Sequence, residues 1–201
     1  MEADNFDILD IFDDVWFKRE AERVFAAKRH LEKTVVEAFT PLEHAPAQSP
    51  WAYLLPMGER DVDDSVAIVG EALRSVVRII RGQRCSTRKL LFQEWAAALQ
   101  FPYYFGENWD AFEECMADLA WLPRGRRFFF VTNVDRILRD KQDFRQFINS
   151  LRSASEQQGV VGGDDREQPY RIIFHCEPKR LLVAQRRLAE AQTTVPVLPY
   201  R

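Results

Sequence analysis

The sequence predicts an α/β fold built on a small parallel sheet, and three observations carry that expectation. Short β-branched or aromatic runs at 76–80, 127–131 and 170–176 alternate with stretches of helical spacing. The middle run, Arg127-Phe128-Phe129-Phe130-Val131, is continuously apolar after its arginine, which suits a strand covered on both faces. The order strand, helices, strand, helix, strand is that of right-handed parallel crossovers, so three strands covered by helices are expected. A hydrophobic share of 46%, with 15 Phe and 5 Trp, is ample for a packed core.

From the start of the chain, the first 14 residues hold six carboxylates interleaved with Phe6, Ile8, Leu9, Ile11 and Phe12. They read as a helix or strand docked on its own domain, with a nucleic-acid mimic or a segment that folds on a partner as the alternatives. Val15 to Phe39 reads as a long helix, with Phe17, Ala21, Val24, Leu31, Val35 and Ala38 along one side. Lys18, Arg19, Glu22, Arg29, Glu32 and Lys33 decorate the rest, a solvated face. Pro41 is expected to stop this helix. Pro46, Pro50 and Pro56 then mark an irregular connector whose Trp51, Tyr53, Leu54 and Leu55 pack on something. Gly58 to Ser65 reads as a charged turn. The chain thus divides into an acidic, mainly helical extension with a Pro-rich connector over 1–65 and an α/β domain over 66–201.

Within that domain, Val76 to Ile80 is the first strand. Thr87 caps a helix through Leu90, Leu91, Trp95, Ala98 and Leu99. Val134 to Leu138 fits a short helical turn. Asp143 to Gln158 is a helix with Phe144, Phe147, Ile148 and Leu151 inward and Gly159 beyond its end. Val160 to Pro169 is a Gly- and Asp-rich loop, Tyr170 to Cys176 the third strand, and Leu181 to Gln192 a last amphipathic helix. The tail with Pro196 and Pro199 is extended.

Charge is unevenly spread. Through Ser65 there are 15 acidic and 7 basic residues, and from Val66 onward 16 acidic and 21 basic, so −8 and +5 sum to the net −3. No run of 18 apolar residues exists, so no membrane partner is expected. Cys85, Cys115 and Cys176 are odd in number, far apart and without CxxC spacing. They read as reduced core thiols of a cytosolic protein, with neither a disulfide framework nor a metal site. His30, His44 and His175 pair with no Ser or Cys in a recognisable motif, and Gly162-Gly163 lacks a phosphate-loop context. No catalytic residue and no cofactor is expected, so the chain does not read as an enzyme.

The most informative stretch runs from Phe101 to Pro123. Asn108 is a good N-cap. Behind it Trp109, Phe112, Met116 and Leu119 form an apolar stripe, while Asp110, Glu113, Glu114 and Asp118 lie on the other side with no Lys or Arg among them. Tyr103, Tyr104 and Phe105 precede Gly106, which permits a tight turn. Aromatic rings on a short loop thus run into an acidic helix face, a surface suited to a cationic partner.

PYYFGENWDAFEEC resembles the signature of the barstar family, small inhibitors that plug the active sites of secreted or injected ribonucleases. The departures are Phe105 for a Tyr, Phe112 for Leu, Glu114 for Asp, and Glu113 where barstar has Trp. The similarity in order and spacing spans roughly 76–176. It implies a three-stranded parallel sheet covered by helices, and a role as intracellular immunity protein against a ribonuclease toxin with a cationic active site. It also implies partner-binding roles for Tyr104, Phe105, Gly106, Asn108, Trp109, Asp110, Glu113, Glu114 and Ala117. Asp110 and Glu114 stand at the two key carboxylate positions, and Tyr104 at the ring that stacks on a catalytic His of the target. Around Ser153 and Ala154, where barstar carries a further interface glutamate, this chain has no acid. Direct nucleic-acid binding is not expected. Alternatives are an immunity protein against a deoxyribonuclease or nucleotide-modifying transferase toxin, and a regulatory module whose acidic face recruits a basic protein.

Overall fold

A computed structural model describes residues 8–43, 49–161 and 170–200. Its elements are α1 (Ile8–Glu43), β1 (Ala52–Pro56), α2 (Val62–Ala72), β2 (Val76–Ile80), α3 (Arg88–Leu99), α4 (Trp109–Asp118), β3 (Arg127–Val131), α5 (Lys141–Val161), β4 (Arg171–Cys176) and α6 (Leu181–Glu190). Single turns of 3-10 helix follow β1, β2, β3 and β4.

The expected parallel α/β sheet is present, but it has four strands rather than three, in the order β1-β4-β3-β2 and all parallel. The extra strand is the stretch expected to be an irregular connector. Ala52 to Pro56 pairs with Ile172 to Cys176 along its whole length. Position explains the surprise: an edge strand tolerates a terminal proline that a central strand does not. The C-terminal tail lies along part of that edge, with Leu54 donating to Pro196 O at 2.8 Å and Leu198 donating to Leu54 O at 2.8 Å. This covers backbone groups that an edge would otherwise present to other chains.

Side chains alternate across the sheet. Phe129, Val131, Ile172, Phe174, Ile80 and Leu54 face a large core shared with α3, α4, α5 and α6. Phe128, Phe130, Ile173, Tyr53 and Leu55 face a second core closed by α2 and by Val35, Ala38, Phe39 and Leu42 of α1. β3 and β4 are buried throughout. The loop after β2 passes so close to β3 that a Cβ at Gly82 would lie 1.9 Å from Thr132 O, so only glycine fits there.

Several boundaries shift. Pro41 lies inside the last turn of α1 rather than ending it, and the helix begins at Ile8 instead of Val15. A proline this close to the C-terminus disturbs little of the remaining ladder. The charged stretch from Gly58 is a 3-10 turn leading into α2, because Val62, Ser65 and Val69 supply a buried helical face beneath the acids. The junction expected at 65/66 therefore falls inside α2. Gly159 lies within α5. The loop expected from Val160 loses Val160 and Val161 to α5, and its remainder, 162–169, lies outside the described residues, as do 1–7 and the part of the expected connector from 44 to 48. No helix among the described residues is long and apolar enough to cross a membrane.

Candidate functional site: the acidic face of α4

The site is built on an aromatic platform. Phe112 is fully buried and meets Phe92, Trp95 and Phe147 at ring-centroid distances of 5.8, 5.3 and 6.2 Å. Trp109, half-buried, packs edge-on to Phe92 at 4.9 Å. Such pairs add geometric preference to the area they bury. Cys115 and Met116 complete the inward side of α4.

Both ends of α4 are tied. Asn108 adopts extended backbone geometry and its Oδ1 accepts from Ala111 N–H at 2.9 Å, as the sequence predicts for a cap. At the other end Leu119 takes the left-handed conformation, with φ of 46°. The Gln158 amide of α5 donates to Met116 O at 3.3 Å and to Ala117 O at 3.2 Å, satisfying carbonyls that the helix leaves unpaired.

The bend before α4 is a turn closed by Phe105 N–H donating to Pro102 O at 3.0 Å. Its two central residues are the tyrosines, which therefore point away from the body: Tyr103 is 100% exposed and Tyr104 63% exposed. Their rings meet edge to face at 5.7 Å. Phe105, without a hydroxyl, turns back onto Phe92 and Phe101 at 5.8 and 4.9 Å. Gly106 is exposed and close to the cap, where a Cβ would come within 2.9 Å of Asn108 Nδ2. The Tyr104 phenol is pushed up by desolvation, then by Cys115, Asp118 and Glu114.

Asp110, Glu114 and Asp118 follow one ridge of α4 and are exposed. Among the described residues no Lys or Arg pairs with any of them. Glu113 differs. It is half-buried and its Oε1 accepts from Ser153 Oγ at 2.6 Å and from Gln157 Nε2 at 3.1 Å, so α5 holds it in place. Ala117, half-buried, floors a shallow depression that Asp110, Glu113, Glu114, Asp118 and Gln157 surround. Asp118 and Gln157 are the members outside the set expected from sequence. Asp118 was legible from its i+4 spacing to Glu114, whereas Gln157 reaches the site only through the packing of α5.

Cys115 is buried, and burial, with Glu114 and Asp118 adding to it, pushes its thiol up to about 11. His175, on β4, is buried, its ring bonded between Asn133 N–H at 3.3 Å and Met57 O at 3.0 Å. Among the described residues no group of His, Cys, Asp and Glu is placed to hold a metal.

A family model described as Barstar (barnase inhibitor) matches residues 75–175. The chain belongs to the barstar family. Every element from β2 to β4, with α4 at the centre, lies within the matched stretch apart from Cys176 at the end of β4, whereas α1, β1, α2 and α6 fall wholly outside it. No curated protein matches the chain. Among solved structures, "Structure of Drosophila ORC bound to AT-rich DNA and Cdc6" contains a chain 16% identical, with a TM-score of 0.46, over 91% of this chain and 59% of that one. A chain in "Structure of Drosophila ORC bound to GC-rich DNA and Cdc6" is 14% identical, with a TM-score of 0.47, over 100% of this chain and 64% of that one. The protein thus spans less than two thirds of either chain, and likeness at this level bears on neither function nor partner. Within the barstar family the described role is inhibition of a ribonuclease, not catalysis.

Proposed function

We propose that this barstar-family chain is an intracellular immunity protein that binds a ribonuclease toxin and covers its active site with the acidic face of α4 and the tyrosine turn. The observation that carries this reading is the ridge of Asp110, Glu114 and Asp118, exposed and unmatched by any described cation, beside the exposed Tyr103 and Tyr104. A nuclease gathers Arg, Lys and His to hold phosphates. Carboxylates one helical turn apart enter such a site in place of phosphates, forming charge-assisted hydrogen bonds. Tyr104 stacks on the target, while Gly106 and Asn108 set the turn beneath it and Phe105 and Trp109 fix the turn to the core. Glu113 and Ala117 line the depression between the helices.

Glu113 also replaces something. The family resemblance places a further acid near 153–154 on α5, and here the carboxylate beside Ser153 comes from α4 instead. The site thereby keeps its negative charge at that place with a different backbone origin, so a target different from barnase in that region is expected.

The test is capture of the partner from the native cell, its identification by mass spectrometry, and inhibition assays with the purified enzyme. Asp110→Lys with Glu114→Lys is expected to leave the fold intact and to weaken binding by roughly 2–5 kcal/mol for each carboxylate desolvated against a cation. Association by the unmodified chain is expected to slow as salt rises, because long-range attraction is screened. A double variant that inhibits at full strength would sink the proposal.

A further inference from the structure

Among the described side chains of α1, those packed on the rest of the protein lie in its last third. Val35, Ala38, Phe39 and Leu42 are buried and Leu31 is half-buried against them. Upstream, Trp16, Phe17, Val24 and Phe25 are 58%, 63%, 58% and 63% exposed, four large apolar side chains within ten residues. Positions 17, 21, 24, 28, 31, 35, 38 and 42 alternate steps of four and three, so the face that docks α1 on the sheet continues into solvent along one stripe. The projecting part, 8–30, is about 35 Å long at 1.5 Å per residue. Helices in proteins draw most of their stability from packing an apolar face, and so wide an exposed one marks an interaction site.

The arrangement of residues along the segment says what covers it. Trp16 and Phe17 lie as far before the point between Glu20 and Ala21 as Val24 and Phe25 lie after it. Charge is arranged about the same point with opposite sign. Positions 8–14 carry Asp10, Asp13 and Asp14 and no cation, whereas the mirror range 27–33 carries Lys28, Arg29 and Lys33 against Glu32. Lys28 and Arg29 form no ion pair among the described residues. Two such helices laid antiparallel about this point set position 17 opposite 24, 16 opposite 25 and 13 opposite 28. Apolar pairs then meet in the middle, with Ala21 at the crossing, and each acidic end meets the other chain's basic stretch. A parallel pair would instead oppose acid to acid and base to base.

We propose that α1 is a dimerisation helix, pairing antiparallel with α1 of a second copy through a two-fold, self-complementary interface. Because α1 docks on the sheet face away from α3 to α6, both acidic α4 faces stay open in the dimer.

Sedimentation or light scattering of the purified full-length chain tests this. The expected result is a species of twice the chain mass that dissociates on dilution. Phe17→Glu with Val24→Glu is expected to abolish it, with cooperative unfolding of the α/β body retained. Lys28→Asp with Arg29→Asp, and separately Asp13→Lys with Asp14→Lys, should each give monomers. Mixing those two monomeric variants should restore a one-to-one dimer, and the loss in each variant alone marks the pairing as antiparallel, because a parallel wild-type pair would already oppose like charges. A wild-type chain that stays monomeric at all concentrations overturns the proposal. So does a dimer that survives Phe17→Glu with Val24→Glu, or a mixture that stays monomeric. If instead that apolar variant loses affinity for the toxin while the wild type is monomeric, the face belongs to the toxin and self-pairing is refuted.

Discussion

Carboxylates at the C-terminal edge of the sheet and carboxylates on α4 differ in the company they keep. At the sheet edge, Asp135 accepts from Arg180 Nε at 2.9 Å, and Glu94 accepts from the Arg81 backbone N–H at 3.2 Å and its Nε at 2.8 Å. Glu177 accepts from Glu59 N–H at 2.9 Å, and Glu59 in turn accepts from the amides of Gln83 and Asn133. Each of these acids has a donor within its own chain, although Asp135 Oδ1 is buried without one. On α4 only Glu113 is matched, and by neutral donors, while Asp110, Glu114 and Asp118 face water. Acids that the fold needs come with donors. Those left without donors are the ones free to meet a cation from outside.

The largest effect should come from breaking a matched acid. Asp135 has a side chain only 1% exposed and its partner Arg180 is 41% exposed. Arg180→Ala strands a buried carboxylate, which costs about 3 kcal/mol, the low end for such losses, because Arg136 remains 4.0 Å away. Urea unfolding measures it. A cost below about 0.5 kcal/mol, the usual size for surface changes, would erase the distinction between the two regions.

His175 belongs to the same edge and sharpens the comparison through pH. Burial lowers its pKa, against smaller opposing effects from its bond to Met57 O and from Glu177, Glu59 and Asp135. Asn133 N–H donates to Nδ1, so the neutral ring carries its proton on Nε2 and donates to Met57 O. In the window below the unfolded value of about 6.5, the unfolded chain takes up a proton that the folded chain refuses. The stability contributed by neutral His175 is therefore present above that value and falls as pH drops toward the lowered folded one. Melting temperature should decline as pH falls below about 6.5, and His175→Gln, which keeps a donor toward Met57 O, should flatten that decline. An identical pH profile in the variant would assign the decline to other groups.

How much of this was legible in the sequence follows from how local each signal is. Asn108, Thr87 and the stripe Trp109-Phe112-Met116 act within a turn or two of themselves, and α3 and α4 lie where those signals put them. The runs behind β2, β3 and β4 announce strands because burial on the sheet demands them. β1 was hidden because five residues between prolines read as a connector until β4, more than a hundred residues later, supplies the ladder. α2 was hidden by the acids at its start: Asp63 and Asp64 outweigh Val62 and Val69 to the eye but sit on the wet side of the helix, and Asp61 precedes it and accepts from Tyr200. At the site, the carboxylates and tyrosines were legible as a pattern. The attachment of Glu113 to Ser153 and Gln157 was not, since it depends on two helices meeting across forty residues of chain.

The smallest expected effect on folding separates the two regions most cleanly. Glu114 lies past the first turn of α4, so helix-end electrostatics hold it weakly, and no described donor reaches it. Glu114→Gln keeps shape and helix propensity while removing one charge, so unfolding free energy should move by no more than about 0.5 kcal/mol. If Glu114 is reserved for an outside cation, the same substitution must slow association with the toxin and reduce its salt dependence, because one source of steering is gone. Stability and binding then respond to one atom exchange in opposite measure, the reverse of Arg180→Ala. A stability loss as large as that of Arg180→Ala would mean that α4 uses this carboxylate for itself.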